Sequence, residues 1–533
     1  REVFGEAMSL FGGLAFVPCG AQAGVARVRN RNERKRESVS KNGSGIRMNR
    51  GAGRDREAFT PRKAQDTAKA ALSSETCVET DLNAWRRLWR TAGEEMDYIV
   101  PQDDIEGVLP EDLIGTLFVN GPGMLERNGE ELKHPWDGDG MVSAVGFRDG
   151  EVWFRNRYVR TRYFLTEERA GKFLFRGDFR QMKPGGALAN ALILKSKNPA
   201  NVNVVFWADR LLALCDTKPP HLLDTQSLAT LGQSRLGGVL DEPGLGGVGG
   251  FTAHPKIDPH SNRLVGFSAK VSDRVLEFIE FDEEFKQVSK RAIKLQNVPF
   301  VHDFIITRKY YIVLDSPVDI NPLPFILGLR APAQCLSFDS SRPTRIILTP
   351  RDDPSAESIV VEHDAFFCFH FANAFEDEES GDVVIDLVTS DTLMFDSGDT
   401  AKPVYDVDFE TQVPQSCLKR MRISLGKNTP AQEQQQLQQQ QPQRAVVSSF
   451  SAFGDGEYCE FPSINSKYTG SPHSFVYSLV RVDDGSGSKG PHNALRKVDV
   501  RTGDSQVFTG RAHEFFNEPV FVPKAGGGAR AED

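Results

Sequence analysis

The sequence VEHDAFFCFHFANAFE, at Val361–Glu376, is the stretch on which the fold and the site depend. Its apolar and aromatic residues predict a buried strand that ends at the acidic run Glu376–Glu379. The histidine in its middle, His370, must satisfy two ring nitrogens away from water, either by hydrogen bonds or by binding a metal ion. FTAHPKIDP around His254 and NVPFVHDFIITRKYYIVLDSPV around His302 repeat this design. Three strand-like segments therefore each present one histidine after an apolar or aromatic lead-in.

The composition is that of a globular protein with many short strands. The chain has 533 residues, enough for two or three ordinary domains or for one large β domain. Its 47 glycines and 36 phenylalanines suit short strands joined by tight turns. The net charge of −9 gives no support to nucleic-acid binding. The seven scattered cysteines include no CxxC pair, which argues against a disulfide framework or a structural zinc site and favours a reducing compartment.

The apolar stretches are too short to cross a membrane. No run of 18 apolar residues occurs, so the sequence predicts no membrane-spanning helix. One of the longest stretches inside the fold is LPFILGL at Leu323–Leu329. Its length favours a core strand or a lip beside a binding cavity, and peripheral contact with a membrane surface stays open as the alternative.

Residues 1–80 are predicted to be a targeting segment outside the fold. After Met8, a short apolar region ends in AQA at residues 21–23, a small-x-small pattern like a signal-peptidase site. Gly24–Lys63 is rich in arginine and poor in acids and aromatics, so it cannot bury enough surface to fold alone. The pair resembles the bipartite leaders of plastids inside secondary endosymbionts and predicts a plastid location. The alternatives are an unstructured tail, with a cytoplasmic protein, or an unreliable start site.

Residues 81–533 are predicted to form one all-β domain. A short amphipathic helix at AWRRLWRTAG precedes the core, and long helices are absent. Short runs rich in Val, Ile, Phe and Tyr alternate with turn sequences. These runs are EVWFRNRYVRT, RLVGFSAKV, VLEFIEFD, KYYIVLDS, TRIILTP, DVVIDLVTS and FVYSLVRVD. So many strands fit either an array of sandwiches or a β-propeller, which removes exposed edges by radial repetition.

Two segments interrupt this pattern. Arg235–Gly250 (RLGGVLDEPGLGGVGG) is rich in glycine, but it fits neither dinucleotide-binding nor P-loop spacing and is predicted to be a flexible connection. Residues 428–446 contain QEQQQLQQQQPQ, a low-complexity run that predicts a disordered surface insert.

The ten histidines differ in their sequence surroundings. His260, His473 and His492 lie in polar, turn-like sequence and are predicted to be exposed. The three histidines of the strand-like segments are enclosed by apolar residues, at spacings of 48 and 68 that are too wide for a local motif. They converge only if their strands approach a common axis, as propeller blades do. From this pattern alone, a three-histidine metal site and three separately satisfied core histidines both stay open.

A longer set of motifs resembles one known family. GTLFVNGPGMLERNG and HPWDGDGMVSAVGFRDGEVWFRNRYVRTRYF are similar to the opening of the carotenoid cleavage dioxygenases. FTAHPKIDP, VHDFIITRKYYIVLDSPV, FHFANAFED, CEFPSIN and NEPVFVP follow in that family's order, so the resemblance covers roughly residues 95–533. The family includes lignostilbene dioxygenases and the retinoid isomerohydrolase of the vertebrate eye. The resemblance implies a seven-bladed propeller with a helical and loop cap, an axial Fe(II) held by four histidines, and an apolar tunnel.

The resemblance also implies roles for individual residues. His254, His302 and His370 match three of the iron ligands. Glu460 of CEFPSIN and Glu518 of NEPVFVP match carboxylates that orient the imidazoles, with ordinary surface or turn acids as the less favoured alternative. A carboxylate that accepts the second ring N–H fixes the tautomer and aims the other nitrogen at the metal.

The sequence departs from the family pattern at two places. Where the family commonly has a further orienting glutamate, LLALCDTKPPH has the shorter Asp216. That change predicts a histidine bridged by water or held differently. The fourth histidine of the family is expected beyond Asp533 and is absent from this sequence, so the last blade is predicted to be incomplete. Four aromatic residues are candidates for the tunnel wall, with plain core packing as the alternative: Phe300, Phe304, Phe369 and Phe371.

The function implied by the resemblance is that of a non-haem iron(II) dioxygenase. Such an enzyme cleaves a C=C double bond of a carotenoid or apocarotenoid with O2 and releases two carbonyl products. No catalytic residue separate from the metal site is predicted. Three alternatives stay open: cleavage of a lignostilbene, retinoid isomerohydrolysis, and a propeller that binds carotenoid without catalysis.

Overall fold

Strands are the main regular secondary structure in the part of the chain that the structure describes. The structure is a computed structural model that describes residues 14–17, 27–28, 81–216, 218–240, 249–393, 413–425, 445–453, 458–482 and 491–524. Only the backbone is described for the first two of these segments. Most of the predicted targeting segment, nearly all of the predicted glutamine-rich insert and the centre of the glycine-rich connection lie outside the described residues. The short helix predicted before the core is present, with Asp81 capping its first turn.

Six antiparallel sheets form the blades of a propeller, and the strands of each blade are named in the order in which they pair. Blade 1 contains Leu14–Val17, Gly115–Met124, Asp139–Arg148, Glu151–Tyr158 and Asp97–Ile99. Blade 2 contains Asn203–Trp207, Arg210–Leu214, His221–Leu223 and Thr230–Gln233. Blade 3 contains Lys256–Asp258, Arg263–Lys270, Val275–Phe281 and Gln287–Lys294.

The other three blades each have four strands. Blade 4 contains Ile305–Ile306, Tyr310–Asp315, Thr344–Pro350 and Ile359–His363. Blade 5 contains Phe367–Glu376, Val383–Ser390, Cys417–Ser424 and Val446–Ala452. Blade 6 contains Cys459–Ser463, Phe475–Val480, Ala494–Asp499 and Ser505–Thr509.

Short pairs of strands and short helices lie in the segments before and between the strands of the blades. The two-stranded pairs are Arg27–Val28 with Ile105–Glu106, Glu126–Arg127 with Glu130–Glu131, and Val318–Ile320 with Leu336–Phe338. The α-helices are Leu82–Leu88, Arg162–Ala170, Gly186–Asn190 and Leu323–Ile326. The short 3-10 helices are Gln102–Asp104, Pro135–Asp137, Leu236–Gly238, Val271–Asp273, Ala333–Cys335 and Ser466–Tyr468. Within the described residues, no helix is long and apolar enough to span a bilayer.

The predicted all-β propeller is confirmed, but the predicted count of seven blades is wrong for the described residues, which form six. The number seven came from the family resemblance and not from the strand runs themselves. The sixth blade has four paired strands, so the expected incomplete last blade does not describe it either.

Neighbouring blades pack face to face through shared hydrophobic clusters. Leu212 of blade 2 packs in one cluster with Leu264 and Phe281 of blade 3. Ile312 of blade 4 packs in another with Ile385 of blade 5. Because both faces of a blade are covered in this way, inner strands read as continuous apolar runs rather than as alternating ones.

The innermost strand of each blade brings the histidine segments toward the axis. The first strands of blades 3, 4 and 5 lie beside one another in that order. His254 precedes Lys256–Asp258 by two residues, and His302 precedes Ile305–Ile306 by three. His370 lies inside the first strand of blade 5. The fold therefore presents one histidine from each of three consecutive blades.

Leu323–Leu329 is not the core strand that its composition favours. Leu323–Ile326 forms a helical turn, and Leu323, Leu327 and Leu329 are exposed. The two prolines at 322 and 324 remove backbone donors that a strand would need, which favours a turn of helix at this position.

Candidate metal centre

Three histidine side chains meet at the inner edge of blades 3, 4 and 5. One ring nitrogen from each of His254, His302 and His370 lies within 4.8 Å of the other two. The Nε2 atoms of His254 and His302 are 2.8 Å apart. The three ring centroids lie 4.4 to 5.1 Å from one another. The radial arrangement of the blades thus gathers residues that are far apart in the sequence.

Two of these imidazoles have a carboxylate partner on their other ring nitrogen. Nδ1 of His302 is 2.6 Å from Oδ2 of Asp216, and Nδ1 of His370 is 2.7 Å from Oε2 of Glu460. A carboxylate only accepts hydrogen bonds, so each pair requires an Nδ1–H donor and leaves Nε2 with a free lone pair. Asp216 reaches its histidine directly, without the bridging water that its shorter side chain predicted.

The surroundings give two of the imidazoles different affinities for protons. Burial and the two neighbouring histidines hold the pKa of His254 well below its ordinary value, so this ring is neutral at physiological pH. Burial also disfavours the imidazolium form of His302, but the Asp216 carboxylate outweighs burial and raises the pKa of His302. A metal ion at Nε2 of His302 therefore competes with a proton for that nitrogen.

An apolar cavity with about 270 Å³ of free space opens onto the three histidines. The Phe369 ring centroid is 4.0 Å from that of His302, and the Phe461 ring centroid is 5.1 Å from that of His370. Aromatic side chains form much of the wall, namely Trp136, Phe179, Phe300, Phe369 and Phe461. An elongated apolar molecule in this cavity would lie directly beside the three histidines.

Phe461 is a wall residue that the sequence did not identify. Its φ of +54° lies in the left-handed region, which is rare for a bulky side chain. Its N–H donates to the same Oε2 of Glu460 that contacts His370, at 2.8 Å. The strand pairing also shifts register between Glu460 and Ser463. Strained backbone of this kind concentrates at functional sites, and nothing in CEFPSIN signals it locally.

The other predicted site residues divide between the cavity and the core. Glu518 and Phe300 line the cavity, and burial raises the pKa of Glu518 to about 8. Among the described residues, the Glu518 carboxylate makes no hydrogen bond to any of the three histidines. Phe304 and Phe371 do not line the cavity, because they pack in the clusters between blades 3 and 4 and between blades 4 and 5.

Two β-bulges explain why Phe371 is a core residue. In a regular strand, Phe369 and Phe371 would share one face, because side chains alternate with a period of two. The pairing of Phe367–Glu376 with Val383–Ser390 instead shifts register between Cys368 and Phe371, and again before Asn373. The first shift places Phe371 in the same core cluster as Cys368, while Phe369 stays at the cavity.

Two histidines predicted to be exposed are not. His473 is buried, with Nε2 3.0 Å from Asp386. His492 is partly buried and stacks on Tyr458 with ring centroids 4.9 Å apart, and burial lowers its pKa to about 4. His260 is exposed as predicted, with Nε2 2.8 Å from the Ser471 hydroxyl. The polar neighbours of His473 and His492 indicate turns, but contacts distant in sequence bury the rings.

The three histidines fit a divalent transition metal. Two imidazole nitrogens bound at about 2.1 Å and at right angles lie about 3.0 Å apart, close to the 2.8 Å between the two Nε2 atoms of His254 and His302. Imidazole nitrogens suit Fe, Zn, Cu and Ni. The carboxylates on Nδ1 leave the facing nitrogens free to bind. His254, His302 and His370 are therefore the residues that would hold an ion.

The fold and this cluster define a β-propeller with a candidate three-histidine metal site at the wall of an apolar cavity. Comparison with known proteins gives its family: the profile of the retinal pigment epithelial membrane protein family matches residues 89–533. The chain is 36% identical to apocarotenoid-15,15'-oxygenase of Synechocystis, over 83% of this chain and 85% of the relative. It is 26% identical to the chloroplastic carotenoid cleavage dioxygenase 7 of Oryza sativa, over 83% of this chain and 81% of the relative.

A solved structure agrees with these sequence matches. The cobalt-substituted apocarotenoid oxygenase of Synechocystis superposes with a TM-score of 0.75 at 34% identity, covering 85% of this chain and 89% of that one. The protein belongs to the retinal pigment epithelial membrane protein family, in which these relatives are carotenoid and apocarotenoid oxygenases.

Proposed function

We propose that this protein is a non-haem Fe(II) dioxygenase that cleaves one C=C double bond of a carotenoid or apocarotenoid with O2 into two carbonyl products. The observation that carries the proposal is the meeting of three histidine ring nitrogens at the wall of an aromatic cavity. The relatives named above support the choice of reaction and substrate class.

The chain's own residues bind the metal and exclude water. Asp216 and Glu460 hold the Nδ1–H protons of two imidazoles, so that both rings keep one tautomer and one orientation. Phe369 and Phe461 pack against the histidine rings and shield the cavity wall beside them from solvent. When bound, Fe(II) supplies the activation of O2. The cavity selects the double bond that lies beside the histidines by holding the polyene in place.

The test is product analysis under labelled oxygen. The purified protein is loaded anaerobically with Fe(II), mixed with an apocarotenal in detergent micelles, and exposed briefly to ¹⁸O2. We expect two carbonyl products that carry label from O2, and none from His302→Ala, which lacks one of the three imidazoles. Release of an isomerised or hydrolysed product without label would refute the proposal. A stilbene assayed in parallel tests the lignostilbene alternative.

We also propose that the protein takes its substrate from a membrane surface. Leu188, Leu192, Leu323 and Leu329 are between 59% and 94% exposed. The two segments that carry them are joined, because the Leu192 N–H donates to the Ile326 carbonyl at 2.9 Å. Such an exposed apolar patch indicates a membrane or partner contact.

Hydrogen bonds hold the patch of exposed leucines in place. Basic residues lie beside it, and the cavity is close to it. The buried Arg176 guanidinium donates to the carbonyls of Asn190, Ile193, Phe325 and Arg330 and so fixes both segments. The exposed basic residues Lys183 and Lys195 suit anionic lipid headgroups. Pro332 and Ala333, just beyond the second segment, line the cavity. This arrangement supports entry of an apolar substrate from lipid.

Liposome co-sedimentation tests the membrane proposal. The double variant Leu188→Ser with Leu323→Ser should weaken binding to vesicles containing anionic lipid about 100-fold, because each leucine contributes about 1.5 kcal/mol when it enters an apolar phase. Leu231→Ser is the matched control, since Leu231 is 61% exposed on the outer strand of blade 2. Equal losses in both variants, or no loss in either, would contradict the proposal.

A plastid location is proposed on the composition of residues 1–80 alone. Arginine-rich, acid-poor sequence after a short apolar region supports it. Fusion of residues 1–80 to a fluorescent protein should direct it to the plastid of a host with secondary plastids. Diffuse cytoplasmic fluorescence would contradict the proposal.

A further inference from the structure

The carboxylate of Asp303 contacts residues within two positions of each of the three histidines. Asp303 follows His302 directly and its side chain is only 2% exposed. Its Oδ1 lies 2.7 Å from Nζ of Lys256, two residues after His254. Its Oδ2 accepts a hydrogen bond of 3.0 Å from the N–H of Phe371, the residue after His370. One buried side chain therefore joins all three histidine segments.

These contacts connect three blades at a place where no sheet hydrogen bonding joins them. Lys256 begins the inner strand of blade 3, Asp303 precedes that of blade 4, and Phe371 lies within that of blade 5. The sheet ladders described above run within blades, and the Asp303 side chain supplies contacts between the inner strands of these three blades. Without such a contact, a small rotation of one blade would change the separation of the imidazoles.

The bulge in blade 5 explains why the Phe371 N–H needs the Asp303 carboxylate as its hydrogen-bond acceptor. Between Cys368 and Phe371 the pairing with the neighbouring strand shifts register, which interrupts the regular ladder of backbone hydrogen bonds. A buried N–H requires an acceptor, and Asp303 supplies one at this position. The same bulge turns His370 toward the cluster and Phe371 toward the core. Asp303 thus holds the bulge in the form that aims His370.

The ion pair with Lys256 is largely buried and lies beside the Phe304 ring. The Lys256 side chain is 18% exposed, and its Nζ lies 6.0 Å from the centre of the Phe304 ring. Phe304 is fully buried, and its own N–H donates to Oδ1 of Asp303 at 2.8 Å. Removing one partner of a buried, hydrogen-bonded ion pair leaves the other charge uncompensated. The pair is therefore sensitive to single substitutions on either side.

We propose that Asp303, paired with Lys256, is a positioning residue that fixes the three imidazoles at the separation a single metal ion requires. The inference rests on the proposed function, since it assumes a metal at the three histidines. It adds a determinant that touches no histidine ring. Asp216 and Glu460 set the orientation of individual rings, whereas Asp303 sets the spacing of the segments that carry them.

The experiment measures metal affinity and fold stability separately. Co(II) is titrated anaerobically into the metal-free wild type, Asp303→Asn and Lys256→Met, and binding is followed by visible absorption. Urea unfolding of each metal-free protein gives its stability. Asn keeps one oxygen for a backbone N–H but cannot form the ion pair. Lys256→Met removes the cation while leaving every backbone contact of Asp303 in place. This variant therefore tests the inference even if Asp303→Asn fails to fold.

Asp386→Asn is the matched control. Asp386 is 1% exposed and forms an ion pair with Arg420 at 2.7 Å in blade 5, the blade that carries His370. It contacts neither a histidine of the cluster nor a residue next to one. Its replacement should lower stability without changing Co(II) affinity.

The outcomes separate the inference from the proposed function. We expect Asp303→Asn and Lys256→Met to weaken Co(II) binding about 10- to 100-fold, the range found for residues that orient metal ligands, and to alter the visible bands. Wild-type affinity in both variants would overturn the inference, and so would an equal loss in Asp386→Asn, which would show a general effect of stability. Failure of the wild type to bind Co(II) would instead overturn the proposed function.

Discussion

Replacing Glu460 by glutamine should weaken metal binding about tenfold without unfolding the protein. Oε2 of Glu460 accepts hydrogen bonds from Nδ1 of His370 at 2.7 Å and from the N–H of Phe461 at 2.8 Å, and the residue is 3% exposed. Glutamine has the same shape and an oxygen that can accept both bonds. The substitution therefore removes the charge while it keeps the geometry.

The magnitude follows from the difference between charged and neutral hydrogen bonds. Bonds to a charged group contribute about 1.5–3 kcal/mol, and neutral ones about 0.5–1.5 kcal/mol. A metal ion at Nε2 increases the positive charge on the His370 ring, so the contact with Glu460 is stronger in the metal-bound protein than in the metal-free one, and glutamine should lose about 1–1.5 kcal/mol of that difference. Since 1.4 kcal/mol is a factor of ten in affinity, the metal dissociation constant should rise about tenfold.

Anaerobic Fe(II) titration with a competing chelator measures this change. Glu362→Gln, on the exposed edge strand of blade 4, is the control and should bind Fe(II) like the wild type. The urea midpoint of metal-free Glu460→Gln should change little, because both acceptor contacts persist. Wild-type iron affinity in Glu460→Gln would refute the argument that this carboxylate tunes His370.

Two further predictions concern stability and the cavity. Burial opposes ionisation of Asp258, but the Ser261 hydroxyl and the Arg351 guanidinium outweigh it and lower the pKa of Asp258 below its ordinary 3.8. The ionised Asp258 carboxylate stabilises the fold fully at pH values above 3.8, and this contribution is lost as the pH falls through the lower pKa of the folded state. The free energy of unfolding should therefore decrease as the pH is lowered below about 4. Asp258→Asn should flatten this drop, and an unchanged urea–pH curve would contradict the assignment. Phe304→Ala should cost about 3–5 kcal/mol of stability and leave KM unchanged, because Phe304 packs in the core. Phe369→Ala should raise KM, because Phe369 lines the cavity. Equal effects of the two substitutions on KM would contradict the placement of the two rings.

The strands could be predicted because burial on both faces leaves a continuous apolar signal. DVVIDLVTS and TRIILTP appear as Val383–Ser390 and Thr344–Pro350, with only small differences at their ends. Each lies between two covering blades, and turn residues mark its limits. Such runs require no knowledge of distant contacts.

The number of blades, and which face of the strand Phe367–Glu376 each side chain occupies, could not be predicted from apolar runs alone. Six sheets replace the seven that the resemblance implied, because pairing between runs is not written in the runs themselves. The bulges in Phe367–Glu376 interrupt the alternation of side chains that would place Phe369 and Phe371 on the same face of the strand. The buried N–H of Phe371 at this bulge needs an acceptor outside its own sheet, and Asp303 supplies it, so the bulge depends on tertiary structure.

The histidines likewise include some whose environment the sequence predicts and some whose environment it does not. The apolar surroundings of His254, His302 and His370 single them out in sequence, and the structure brings them together. His473 has polar neighbours and lies in a loop, yet its ring is buried and contacts Asp386 of blade 5. A partner distant in sequence buries a residue without leaving a local pattern.

Iron stoichiometry in single-histidine variants tests the central claim most directly. His254→Ala, His302→Ala and His370→Ala are each loaded anaerobically with Fe(II), desalted and analysed for bound iron, with circular dichroism to verify the strands. The wild type should retain a single iron ion per chain, and each variant should lose it while keeping its β spectrum. Retention of wild-type iron by any of the three folded variants would contradict a centre shared by all three histidines.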